Sequence, residues 1–324
     1  MLRGLFALLC AAMTISTANA QDMRVSLLGT GTPILNINRF GMSTLVEAGG
    51  QKLLFDAGRG VAIRLHQKQV PLSKIDAVFI THMHSDHLTG LPDLYASAPL
   101  PTDDGRRASP LEIWGPTGVT ELATGIEMMF TENNRIRLTG GETNESALKI
   151  TSHLLQEGVV YDRGGVKVTA FLVNHGHVKP AYGYRVDYAG HSVVLSGDTT
   201  LAPNLLEQAK GVDMLIHSVA IGSRELEKAE PAYVHHFYEY LANPETAAGI
   251  LAKTHPKLAV FSHISLYSKG NVARATLGEL ESRIKAAYDG TFLVGQDLMS
   301  FDIDDSGVHP EPYTLDMRWQ EPGQ

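Results

Sequence analysis

His82-Met83-His84-Ser85-Asp86-His87 gathers three imidazoles and a carboxylate in one short stretch. Imidazole and carboxylate together suit a borderline-soft divalent ion such as zinc. Directly upstream, Ala77-Val78-Phe79-Ile80 reads as a short buried strand, apolar and rich in β-branched and aromatic residues. If its pleat continues for one step, His82 and His84 fall on the same side by the period of two. Asp86 and His87 then return from the loop or first helical turn that leads to Leu88. Packing gives no reason to concentrate four such groups after a buried strand.

Further ligand types stand at the ends of other apolar runs. Val166 to Val173 ends in Asn174-His175-Gly176-His177, Val193 to Ser196 in Gly197-Asp198-Thr199, and Leu258 to Phe261 in Ser262-His263. Strand ends fix direction while loops stay free to carry function. We expect His82, His84 and His175 to hold one ion, Asp86, His87 and His263 a second, and Asp198 to bridge them. His177 shares the spacing of His175, so it is an alternative ligand or a group of the substrate pocket. Asp56 closes the run from Gln51 and is either a turn cap or an acceptor for a metal-bound histidine. His217 follows the apolar run Met214 to Ile216 and suits a general acid, which makes His217, Asp86 and Asp198 the expected catalytic groups. His235 and His236, within the aromatic stretch Tyr233 to Tyr240, either line the pocket or pack. Two ions held roughly 3.5 to 4 Å apart would clamp a bridging hydroxide against a phosphorus, carbonyl or sulfur centre.

Strand and helix patterns must place these groups. Met23 to Leu28 reads as a strand, and Met42 to Ala48 with Gln51 to Asp56 reads as a hairpin about Gly49-Gly50. A helix follows from Val61, another from Leu88, a strand from Leu111 and a helix over 119–131. Residues 132–157 are polar and weakly patterned, which predicts an insertion that covers or shapes a cleft. Strands return over 159–161, 166–173, 182–188 and 191–196. Helices over 203–210 and 244–254 then alternate with strands over 212–216 and 258–261. Both halves are β-rich and helix-covered, so residues 21–324 are expected to form one domain of two sheets.

The chain has 324 residues, 44% of them hydrophobic, and a formal net charge of -8. Residues 1–20 combine Arg3, a short apolar run and Ala18-Asn19-Ala20, the pattern of a cleaved signal peptide. That run is too short to span a bilayer, so no stable membrane insertion is expected. Cleavage removes the only cysteine, Cys10, and predicts a secreted or periplasmic protein. An acidic chain grips a polyanion poorly through phosphate contacts, so the expected partner is a small-molecule ester and not nucleic acid. A homo-oligomer is left open.

The HxHxDH pattern at 82–87, with GDT at 197–199 and SH at 262–263, resembles the metallo-β-lactamase superfamily. The likeness runs from LGTGTP at 28–33 to VGQDLMSF at 294–301. It implies an α+β fold, an αββα sandwich of two mixed β-sheets flanked by helices, with the metals at one edge. LLFDAGRG at 53–60, PAYGYRV at 180–186 and DMLIHS at 213–218 are similar to the ribonuclease Z and bacterial arylsulfatase-like branch. That branch implies the ligand sets given above and places His217 near the scissile group as proton donor. Ser218 stands where its motif carries a glutamate. The function expected is a metal-dependent hydrolase with two divalent ions, zinc by ligand type, that cleaves a small phosphodiester or related ester. Aryl sulfate hydrolysis is the alternative, followed by lactone or carboxylic ester hydrolysis. From another class, the fold could serve as an exported binding module.

Overall fold

Apolar residues on both faces of most strands require two covering layers, and the chain supplies them. The structure, a computed structural model, describes residues 23–313, so the leader-like segment 1–20 and Cys10 lie outside the described residues. The N-terminal half gives β1 (Met23–Gly29), β2 (Ser43–Ala48), β3 (Gln51–Phe55), β4 (Ala77–Phe79), β5 (Leu111–Gly115) and β6 (Ile150–Leu154). A second sheet follows with β7 (Gly158–Arg163), β8 (Val166–Leu172), β9 (Tyr182–Tyr188), β10 (His191–Leu195), β11 (Met214–Ile221), β12 (Leu258–Leu266) and β13 (Phe292–Val294). The closing hairpin β14 (Ser300–Asp304) and β15 (Gly307–Glu311) crosses back to the first sheet. Spatial orders are β15-β14-β1-β2-β3-β4-β5-β6 and β13-β12-β11-β10-β9-β8-β7. Each sheet contains parallel and antiparallel pairs, as expected for two mixed sheets.

The β2–β3 hairpin turns on Gly49 and Gly50, with φ of 55° and 74°, and pairs Ala48 with Gln51. Positive φ at both central residues matches the twist of the strands, which is why two glycines stand there. Between the sheets lie Phe55, Phe79, Trp114, Tyr184 and Val260. Phe79 stacks on Phe55 at 5.0 Å and on Trp114 at 5.2 Å, and meets Tyr184 at 5.7 Å. The fully buried Tyr184 hydroxyl donates to the Ile80 carbonyl at 2.6 Å. The second sheet thus holds the exit of β4 in place two residues before His82.

Helices cover both outer faces. α1 (Val61–Gln67), α2 (Leu91–Ser97) and α3 (Val119–Met129) bury Val61, Leu65, Leu94 and Ile126 on the first sheet. α4 (Thr131–Thr139) buries none of its residues. α5 (Pro203–Gln208), α6 (Arg224–Ala229), α7 (Pro231–Tyr238), α8 (Pro244–Thr254) and α9 (Leu277–Lys285) follow. α5, α8 and α9 bury Leu205, Ile250 and Leu280 against the second sheet. The arrangement is the expected αββα sandwich.

Several boundaries differ from the sequence reading. The strands expected to end at Ile216 and Phe261 run on to Ile221 and Leu266. The polar residues His217 and Ser262 read as strand ends, yet in the continuing β11 the Ser218 amide donates to Ser196 Oγ at 3.2 Å and its hydroxyl accepts from the Thr199 amide at 3.3 Å. Polar residues so satisfied do not end a strand. Within 132–157, Ile150–Leu154 is a regular edge strand in parallel register with β5. Its partial exposure on both faces erases the alternation that would have revealed it.

The helices beyond β11 are tied by Arg283, which donates to Glu227 at 2.8 Å, Glu245 at 2.6 Å and the Gly222 carbonyl at 3.0 Å. Burial alone would raise both carboxylates. The Tyr238 hydroxyl and Arg283 at Glu227, and Arg283 at Glu245, outweigh it and hold them below the ordinary value of 4.5. Because the folded value is depressed, their stabilisation is complete above the unfolded pKa and is lost as pH falls through the folded one. The gap in thermal midpoint between wild type and Glu245→Gln, both metal-free, is therefore largest near neutrality and closes in acid. A gap independent of pH would refute this.

Removing the Tyr184 hydroxyl leaves a buried carbonyl without its donor. Tyr184→Phe should cost about 1–3 kcal/mol in denaturant unfolding of the metal-free protein. An unchanged midpoint would show that the bond does not hold the loop.

Candidate metal centre

Seven ligand-type side chains from four segments converge at one edge of the sandwich. The turn Ser85–His87 after β4 brings Asp86 and His87, both buried, back beneath His82. Asp198 follows Gly197, whose φ is 61° and whose added Cβ would lie 2.4 Å from the Tyr182 carbonyl oxygen. Only glycine allows that approach. His263 is the extra residue of a β-bulge: Ser218 pairs with Ser262 and Val219 with Ile264, and His263 itself has φ 45°. A bulge re-aims one side chain within a continuous strand, here toward the cluster.

Three ligand groups result: His82 with His84 and His175, Asp86 with His87 and His263, and His82 with His87 and Asp198. His82 Nε2 lies 2.9 Å from His84 Nδ1, and His175 Nε2 lies 3.3 Å from the same atom. His263 Nε2 is 3.0 Å from Asp86 Oδ2. Asp198 Oδ2 stands between the sets, 3.2 Å from His263, 3.6 Å from His87 and 3.8 Å from His175.

The histidines are turned inward by partners on their other nitrogens. His87 Nδ1 donates to Asp56 Oδ2 at 2.7 Å, and His175 Nδ1 to the Tyr240 carbonyl at 3.0 Å. His82 Nδ1 lies 3.0 Å from Thr81 Oγ1, which in turn donates to Asp56 Oδ2 at 2.9 Å. Asp56 therefore steers His87 directly and His82 through Thr81. Such outer partners fix the tautomer and orientation of a ligand.

Electrostatics agree with a site built for cations. Burial, then the neighbouring His87, drives His82 well below its ordinary value, and burial also lowers His84 and His175. Burial opposes charge on His87 and His263, but Asp56 and Asp198 for the first, and Asp198 and Asp86 for the second, raise them. Asp198 is buried, yet His263 and His87 hold it well below the carboxylate range. Asp86 Oδ1 and His87 Nε2 are buried without a hydrogen-bond partner. Unpaired donor atoms in a cluster of imidazoles and carboxylates fit divalent metal ions, whose charge such a set needs.

The remaining candidates separate. Asp56 accepts hydrogen bonds from the ligand-bearing loop, as the second of its two readings requires. His175 enters the cluster; His177 is exposed and packs edge-on against Tyr240 at 4.9 Å. His236 lines the cavity beside the cluster, whereas His235 lines a different one with Arg224 and Arg283. His217 sits inside β11, wholly buried, and does not line the cavity, although it is near enough to feel the charge of Asp198. Its Nδ1 lies 2.5 Å from the Ser218 carbonyl, and burial lowers its pKa to about 4, so it is neutral near pH 7. In this arrangement its ring faces the β11 backbone and not the cavity wall. No residue of 132–157 lines the cavity either. Phe237 and Tyr240 belong to the aromatic stretch 233–240 that was offered as a pocket lining, and both line the cavity; sequence reading overlooked Thr81 and Tyr267.

Asp56→Asn keeps the side-chain shape and tolerates the residue's φ of 58°. Without the charge, affinity for both ions should fall about 10–100-fold in metal titrations. Wild-type affinities would reduce Asp56 to a turn cap.

Comparison with known proteins gives this site its family. The profile of the beta-lactamase superfamily domain matches residues 51–264. A protein of Mycobacterium sp. (strain KMS) named ribonuclease Z is 36% identical over 241 residues, 72% of this chain and 84% of its own. Among solved structures, the metallo-β-lactamase-fold protein YhfI from Bacillus subtilis superposes with a TM-score of 0.63 at 17% identity, covering 86% of this chain and 98% of its own. The short form of human tRNase Z gives 0.61 at 21%, with the same coverages. The ribonuclease Z relatives overturn the expectation that excluded nucleic acid as a partner. That expectation rested on net charge, a bulk property, whereas cleavage of one phosphodiester depends on a local site. The chain belongs to the metallo-β-lactamase superfamily and carries its hydrolase fold.

Proposed function

We propose that this chain is a hydrolase with two divalent ions, zinc by its ligand types, that cleaves phosphodiesters. The observation that carries the reading is Asp198 Oδ2, within 3.2–3.8 Å of imidazoles from both ligand sets. His82, His84 and His175 would hold one ion, Asp86, His87 and His263 the other, and Asp198 both. When bound, such ions lower the pKa of a water toward neutrality and polarise a phosphoryl oxygen. Asp198 would also orient the attacking water, while Asp56 and Tyr240 keep the imidazoles in register.

The phosphodiester class is supported by the relatives named ribonuclease Z and by the fit of paired ions to phosphoryl displacement. RNA falls within that class, beside small diesters that present the same reacting group. Aryl sulfate hydrolysis is a second reading, favoured by the aromatic side chains Phe237, Tyr240 and Tyr267 along the cavity. The leader-like pattern of residues 1–20 supports export, with 21–324 as the hydrolase domain.

The test offers the metal-loaded protein a bis-aryl phosphodiester, a short RNA and an aryl sulfate. Turnover of a phosphodiester is expected, and Asp198→Ala should lower kcat/KM about 1,000-fold, equivalent to roughly 4 kcal/mol. His217→Asn should leave kcat within about tenfold at neutral pH, less than the span typical of a lost general acid. Turnover of the sulfate alone would replace the phosphoryl reading, and inertness toward all three with two ions bound would sink both.

A further inference from the structure

The cavity beside the ligand cluster has a volume of about 220 Å³ and is lined in part by Pro33, His236, Phe237, Tyr240 and Tyr267. Its charged lining residues are Asp86 and Asp198, both in the cluster; no lysine or arginine lines it. The walls are ordered among themselves. Phe237 stacks on Tyr267 at 4.0 Å with an interplanar angle of 21°, and Tyr233 meets Phe237 edge-on at 5.0 Å. Tyr240 receives the edges of His236 at 5.0 Å and His177 at 4.9 Å.

This wall is coupled to the ligands through its backbone. The carbonyl of Tyr240 orients His175, and its ring lies over Gly176, where a Cβ would come 3.0 Å from the ring. The Ala242 amide donates to the Thr199 carbonyl at 2.9 Å, next to Asp198. The aromatic faces and the donor atoms therefore share one frame.

We infer that this cavity is a recognition pocket for one flat, uncharged aromatic group of the ester, an aryl ring or a nucleobase, held by Phe237, Tyr240 and Tyr267. The inference rests on the hydrolase reading and specifies its substrate. A cavity of about 220 Å³ is smaller than the roughly 300–1,000 Å³ that enclose drug-sized ligands, so it takes one ring system. Aromatic faces and edges complement such a ring in stacked or edge-on geometry. Beyond the ions that Asp86 and Asp198 would hold, the wall offers no lysine or arginine to a second anionic group, so the reacting group alone carries the charge.

The metal-loaded full chain is titrated calorimetrically with phenylphosphonate and methylphosphonate, and separately with benzenesulfonate and methanesulfonate. The aryl phosphonate should bind about tenfold tighter than its methyl partner. In Tyr267→Leu and in Phe237→Leu, each checked to retain two ions, that preference should vanish while methylphosphonate affinity stays within about twofold of wild type. An aryl preference confined to the sulfonates would keep the pocket and overturn the phosphoryl reading. Equal affinities within both pairs, or a preference that survives both substitutions, would overturn the pocket.

Discussion

The carboxylate of Asp56 is the point on which the site depends. It receives the Thr81 amide at 2.8 Å, the Thr81 hydroxyl and His87 Nδ1, and so joins the end of β3 to the loop after β4. Its φ of 58° is a conformation that most L-residues avoid, and such strain persists only where surrounding bonds over-determine it. Here those bonds also point two imidazoles, one from each ligand set, toward the same space. Backbone strain is accepted at the residue that orders the chemistry.

The same economy recurs around the cluster. Gly197 permits a close backbone approach, the bulge at His263 turns a strand residue inward, and the Tyr240 carbonyl holds His175. Each device converts the end or edge of a rigid element into a fixed direction for one ligand. Rigid elements suit this task because the donor atoms carry like charges or compete for the same space, and loops alone would relax apart. Behind them, Phe79 and its aromatic neighbours give β4 a core on which the loop can bear.

Much of the fold was legible because its signals are local. The glycine pair at 49–50, the alternating runs at 166–173 and 182–188, and the apolar helix over 244–254 each depend on residues within one element. The edge strand β6 was missed because its residues are half-exposed on both faces. The ends of β11 and β12 were placed short because His217 and Ser262 look like terminators until the residues packed around them are known. The expected exclusion of nucleic acid failed for a related reason, since net charge averages over a surface while the reacting group meets a few atoms.

What the sequence determined by itself was the concentrated ligand motif at 82–87 and its likeness to one superfamily, since those residues need only a strand and a turn to come together. It also marked His175, Asp198 and His263 as strand-end candidates. The tertiary structure chose His175 over His177, divided His235 from His236, buried His217 within β11 and built the aromatic wall from α7 and the residues just after α7 and β12. These outcomes depend on which distant segments pack against each side chain, and spacing along the chain carries no record of that packing.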